Sequence, residues 1–159
     1  MMRLPKFTEQ AQEVLAASQE VARSFRNSHW DVEHILLALL QQEGGVTNDV
    51  LQEIGVEPGQ VRGKVEEAVR SLPIAGYETG QLYPTARIEN VLRSATIEAD
   101  RFQDEFVGNE HLLIAILNER GGRGADILKK FGVDQEKIYR ALQQIRGGQR
   151  ITDPRAESK

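Results

Sequence analysis

The residues best placed for chemistry in this 159-residue chain are two Glu-His pairs, Glu33-His34 and Glu110-His111. A carboxylate beside an imidazole invites a metal-site or acid–base reading, and the spacing argues against both. Adjacent residues on a helix point ~100° apart, so neither pair converges on one ion. A core histidine hydrogen-bonded to backbone explains His34 and His111 better. The third histidine, His29, stands next to Trp30 with no partner in sequence, and surface packing accounts for it. No nucleophile–base–orienter pattern is present. There is no Gly-x-x-x-x-Gly-Lys-Ser/Thr loop to cradle a nucleotide phosphate, and Gly121-Gly122-Arg123-Gly124 resembles one only superficially. We therefore expect a chain that is not an enzyme, with no catalytic residue, no metal and no cofactor.

The two Glu-His pairs belong to something larger. Residues 8–68 shifted forward by 77 positions fall on residues 85–145 without a gap, giving 16 identities in 61 pairs. Thr8 meets Thr85, Glu33-His34 meets Glu110-His111, Gly44-Gly45 meets Gly121-Gly122, and Gly55-Val56 meets Gly132-Val133. Two copies of one supersecondary unit, related by a pseudo-twofold axis, are the expected architecture.

Each copy reads as four helices. Ile88, Val91, Leu92, Ala95, Ala99 and Phe102 follow the i, i+3, i+4, i+7 spacing of one buried face, and the first copy repeats the stripe from Ala11 to Phe25. Thr8 and Thr85 stand at the N-cap positions. The second helix of each copy, built on Ile35-Leu36-Leu37-Ala38-Leu39-Leu40 or Leu112-Leu113-Ile114-Ala115-Ile116-Leu117, is apolar all round and belongs at the centre. The glycine pairs end it. A third helix stops at Gly55 or Gly132, and a fourth runs over roughly 58–71 and 134–146. Nothing alternates with period two, so the fold class is all-α with about eight helices. Residues 72–84, with Pro73, Gly76, Gly80 and Pro84, form a connector.

Composition bounds the function. At 40% hydrophobic and 28% charged residues the chain is ordinary for a globular protein. It carries no apolar run of membrane-spanning length and no signal-peptide start. Zero cysteines exclude disulfides and suit a cytoplasmic setting. A net charge of −4 leaves no basic stripe for phosphates. The partners expected are neither nucleic acid nor membrane.

The doubled pattern closely resembles the amino-terminal Clp-repeat domain of the Clp-type AAA+ unfoldases. It consists of a Phe/Tyr–Thr helix start, a Glu-His-Ile/Leu-Leu helix, a Gly-Gly turn and a Leu-x-x-Phe/Ile-Gly-Val close. The connector after Ser71-Leu72-Pro73 and the tail Ile145-Arg146-Gly147-Gly148-Gln149-Arg150-Ile151-Thr152 are similar to the ClpB type. The resemblance implies a domain over 1–149, with repeat one at 8–71, the connector at 72–84 and repeat two at 85–146. Residues 150–159 would start a flexible linker toward an ATPase module not contained in this sequence. It also implies a chaperone role: capturing unfolded or aggregated polypeptide, or an adaptor protein, and passing it to a homohexameric ring, the isolated domain being a monomer.

The family's client-contacting residues match Thr8, Asp104 and Glu110. A ClpC-like alternative, phosphoarginine or adaptor docking, pairs Thr8 with Glu33 and Thr85 with Glu110. Val32 and Asn109 stand where the family commonly has Thr or Ser. Each of these residues has a plainer explanation too. A carboxylate in a helix's first turn is favoured by ~0.3–1 kcal/mol through the dipole alone, yet it can also take a guanidinium bidentately. The threonines are caps first. Asp104, in Gln103-Asp104-Glu105, reads equally as a solvated loop charge. Ile97, Tyr77 and Tyr83 are either lone exposed side chains or part of a binding surface.

Overall fold

The computed structural model describes residues 6–75 and 81–155, and Tyr77 lies outside them. Eight helices form among the described residues: α1 Glu9–Ser24, α2 Val32–Gln41, α3 Val46–Ile54, α4 Pro58–Arg70, α5 Ala86–Arg101, α6 Asn109–Leu117, α7 Arg123–Lys130 and α8 Gln135–Arg146. Each helix of the second set starts 77 residues after its counterpart, as the repeat requires. The irregular positions repeat as well. Arg26 and Gln103 both take φ 58°, and Gly44/Gly121 and Gly55/Gly132 are left-handed pairs. In each glycine pair the first residue turns the chain and the second, Gly45 or Gly122, is the N-cap of the next helix.

The two repeats form one body. Helices α2 and α6 lie against each other at the centre, flanked by α1 and α5. Helix α3 packs on α8, and α7 on α4, so each repeat's third helix leans on the other's fourth. That reciprocal exchange is what a twofold relation imposes on an interface. The all-round apolar helices sit where expected: Leu36, Leu40, Leu113 and Leu117 are buried, together with Ile35, Leu37, Leu112 and Ile116.

The segments leading into α1 and α5 also cross over. Strand β2 (Tyr83–Pro84) pairs in parallel with β1 (His29–Trp30), and its counterpart is the bridge between Phe7 and Val107. The Thr85 amide donates to the Trp30 carbonyl and the Thr8 amide to the Val107 carbonyl, each at 3.0 Å. These short pairings leave the fold all-α.

After α8 the chain reverses at Gly147, whose φ of 58° favours glycine. It then lies back over the second repeat. Ile151 is 5% exposed, and the Pro154 carbonyl accepts from the Glu9 amide at 2.8 Å. Where the sequence leads one to expect a loose linker from 150, residues 150–154 stay on the domain, because Ile151 is buried and its main chain bonds to Asp104 and Glu105.

Candidate functional site

The histidines anchor the starts of the central helices. His34 Nδ1 accepts from the Asp31 amide at 2.9 Å, and its Nε2 lies 2.8 Å from Asn27 Oδ1. His111 repeats this with the Gly108 amide and Asp104 Oδ2, both at 2.8 Å. Since Nδ1 accepts, Nε2 carries the proton and donates. Burial pushes His34 down to about 4, against the opposing pull of Asp31, so it is neutral at pH 7. Among the described residues no three His, Cys, Asp or Glu side chains are grouped to hold a metal ion.

Because the entering segments cross over, the threonines change partners. Thr85 lies at the start of α2, where its hydroxyl donates to Asp31 Oδ1 at 2.8 Å. Thr8 is held to Val107, at the start of α6. The pairing of Thr8 with Glu33 and Thr85 with Glu110 is therefore exchanged: Thr85 belongs with Glu33 and Thr8 with Glu110. Nor do both threonines cap. Thr8 Oγ1 accepts from the Ala11 amide at 3.1 Å, whereas Thr85 makes no cap bond and its hydroxyl donates to Asp31 instead.

The two carboxylates have different surroundings. Glu33 is 1% exposed and is gripped by Arg87, whose Nη1 and Nη2 donate to its two oxygens at 3.2 and 3.1 Å. The other edge of the same guanidinium forks onto Glu119 at 2.6 and 2.7 Å, and Nη1 lies 3.1 Å from Asp31. Four hydrogen bonds thus tie Arg87 to Glu33 and Glu119, and Asp31 adds an ion pair. The Glu119 hydrogen bonds lead in raising its pKa, with Glu33 and Asp31 adding to them against burial.

Glu110, 4% exposed, has no such partner. Its Oε2 is 3.4 Å from Arg146 Nη1, and its Oε1 is buried without a hydrogen bond. The positions 77 before Arg87 and Glu119 are Gln10 and Gln42, and these amides hydrogen-bond to each other at 3.3 Å. Asn109 donates to Gln42 at 3.1 Å. A recess of about 330 Å³ opens here, lined by Gln10, Val46, Asp49, Glu110, Ile145 and Arg146 among others.

Asp104 is no solvated loop charge. It is 6% exposed, accepting from His111 and also from Arg146 Nη2 at 2.6 Å and the Ile151 amide at 2.7 Å. Burial alone would raise its pKa, but these donors outweigh it and hold the carboxyl below its usual value. Arg146 also stacks on Phe102 at 5.3 Å. Thr8, Asp104 and Glu110 thus gather on one side of the molecule, and Thr85 and Glu33 gather around Arg87. Ile97 and Tyr83 are exposed.

Sequence reasoning missed Asp31, Arg87, Glu119 and Arg146. Three of them had a signal: they stand where the copies differ in charge, Asp31 against Gly108, Arg87 against Gln10 and Glu119 against Gln42.

Comparison with known proteins gives a consistent picture. The family model of the Clp repeat (R) N-terminal domain matches residues 6–131 and 105–157. The chain is 36% identical over 155 residues to the chaperone protein ClpB 1 of Synechocystis sp., covering 97% of this chain and 17% of that protein. It is 34% identical over 156 residues to the chaperone protein ClpB of Rhodopirellula baltica, covering 98% and 18%. The chain thus spans less than a fifth of the length of these curated relatives. The crystal structure of the Hsp104 N-terminal domain from Candida albicans shares the fold, with a TM-score of 0.83 at 23% identity, covering 96% of this chain and 99% of that one.

Proposed function

The chain belongs to the Clp repeat N-terminal domain family, and from that membership we propose that it captures unfolded or aggregated polypeptide for a ClpB-like disaggregase. The observation that carries this reading is the Glu110 recess. A buried carboxylate with one oxygen unpaired is costly to leave so, and Glu110 is one of the residues lining a cavity large enough for a side chain. Ile145, 40% exposed, supplies an apolar wall beside it. A client chain offers both an N–H donor for Glu110 and apolar surface for that wall.

Binding by one domain is weak on this reading, micromolar or poorer, about 8 kcal/mol or less, because a flexible client must be ordered. Several tethered copies in a hexamer would restore strength through effective concentration. Fluorescence anisotropy of a labelled, permanently unfolded protein titrated with this chain tests the proposal. Saturable binding is expected, and none at high micromolar concentration would contradict it.

A second reading is docking of an adaptor or of a phosphoarginine-bearing protein, as the resemblance implies for the ClpC type. One observation favours it: Arg87 forked on Glu33 is the way a guanidinium would seat on Glu110. Calorimetric titration with free phosphoarginine separates the two, since the client reading expects no heat.

A further inference from the structure

The segment after α8 shows how the second-repeat face holds a polypeptide. Residues 149–154 run across it attached chiefly by main-chain atoms. The Gln149 carbonyl accepts from Arg146 Nε and Nη2 at 3.1 and 2.8 Å. The Ile151 amide donates to Asp104 Oδ1 at 2.7 Å, and its carbonyl accepts from the Glu105 amide at 2.8 Å. The Pro154 carbonyl accepts from the Glu9 amide at 2.8 Å. A single apolar side chain, Ile151, is buried, while Arg150 and Thr152 on either side of it are exposed.

This mode of attachment uses groups every residue possesses and requires only one branched apolar side chain. The first repeat has the same device: after α4 the chain returns so that the Ser28 amide donates to the Pro73 carbonyl, as Glu105 does to Ile151. There the partner of His34 is the neutral Asn27, whose amide donates to the Leu72 and Pro73 carbonyls at 3.4 Å. In the second repeat the partner is a carboxylate that accepts a main-chain N–H, so only this copy offers a charged acceptor to a passing backbone. The strap also borders the Glu110 recess, since Gln149, Arg150 and Ile151 line it.

We propose that the groove between the α5–α6 loop and the start of α1 binds extended polypeptide, and that residues 149–154 are its resident occupant in cis. A client segment with a branched apolar residue takes the Ile151 seat, bonds through its backbone to Asp104 and Glu105, and displaces the strap. The strap is then a built-in competitor that keeps the groove covered until a better-fitting segment arrives. This rests on the polypeptide-capture reading and specifies the kind of segment recognised.

Two variants of the full chain lift the strap. Ile151→Asp removes the anchor, and Gly147→Pro, incompatible with a φ of 58°, redirects the chain at its reversal. The first probe is a fluorescein-labelled octapeptide with the sequence of residues 148–155, read by anisotropy, with circular dichroism confirming that each variant is folded. The octapeptide should bind both variants, and bind wild type about tenfold more weakly, because the strap lowers the fraction of open groove. The same octapeptide carrying aspartate in place of isoleucine should not bind. The second probe is a permanently unfolded protein, which should bind the variants more tightly than wild type and be displaced by the octapeptide. Failure of the octapeptide to bind a folded variant, or a client affinity identical in wild type and variants, overturns the strap proposal. Absence of client binding in every form, with the octapeptide still bound, overturns the capture reading instead.

Discussion

The Thr85 hydroxyl donates to the Asp31 carboxylate at 2.8 Å, joining residues 54 apart in sequence and lying in different repeats. This contact, together with the paired bonds of the Thr85 amide to the Trp30 carbonyl and the Thr8 amide to the Val107 carbonyl, shows that each repeat completes the other's central-helix entrance. The two entrances are topologically equal and chemically unequal. At one a guanidinium forks onto Glu33, and at the other Arg146 reaches only one oxygen of Glu110 and leaves the second, buried, without a hydrogen bond.

The threonines should therefore respond differently to removal. Thr8→Ala loses a true N-cap and should cost about 1 kcal/mol. Thr85→Ala should cost less, since Asp31 keeps the Val32 amide at 2.8 Å and Arg87. Urea unfolding of both variants checks the order, and equal losses would contradict the exchanged roles.

Arg87→Ala strands Glu33 inside the protein. Breaking a fully buried pair costs about 3–5 kcal/mol, and because the Arg87 side chain is 35% exposed, solvent screening lowers the expectation to about 2 kcal/mol. Arg87→Lys should recover little, as an ammonium cannot fork onto two carboxylates. Adding Glu33→Gln to Arg87→Ala should restore part of the stability by removing the stranded charge. A double variant weaker than Arg87→Ala alone would count against this account.

Acid should destabilise the domain in two stages. With His34 at about 4 when folded and about 6.5 when unfolded, the unfolded chain binds more protons between those values. Stability is then lost as pH falls from about 6.5 to about 4, by about 3 kcal/mol from this residue. Asp104, held below its usual value, contributes stability above the unfolded carboxyl pKa that is lost as pH falls through its lower folded value. The His34 imidazole resonances followed by NMR should stay unchanged from pH 7 to 5, and a midpoint near 6.5 would contradict the buried neutral form.

Leu113 is fully buried on the central helix α6. Leu113→Ala should cost ~2–5 kcal/mol by thermal or chemical unfolding, and a loss under about 1 kcal/mol would misplace that helix.

The fold was legible because repetition and helical periodicity are local signals. Gly55 and Gly132 mark helix ends in sequence and do so in space. The site was legible only in part. Thr8 announces itself as an N-cap and Glu33 and Glu110 as first-turn residues, but the crossover that gives Thr85 to Asp31 depends on how two repeats meet, which no single repeat encodes locally. Asp104 looked like a loop charge because its neighbours Gln103 and Glu105 are polar. Its burial is set by His111, Arg146 and Ile151, 7, 42 and 47 residues away.

The central claim is that polypeptide engages the Glu110 side while Arg87 closes the Glu33 side. Anisotropy titration of one labelled unfolded protein with wild type, Glu110→Gln and Glu33→Gln, each confirmed as folded, tests it most directly. Both substitutions keep shape and remove one charge. The account predicts about tenfold weaker binding for Glu110→Gln, as for a lost charge-assisted hydrogen bond, and wild-type affinity for Glu33→Gln. Equal affinities in all three chains, or a loss confined to Glu33→Gln, would contradict it.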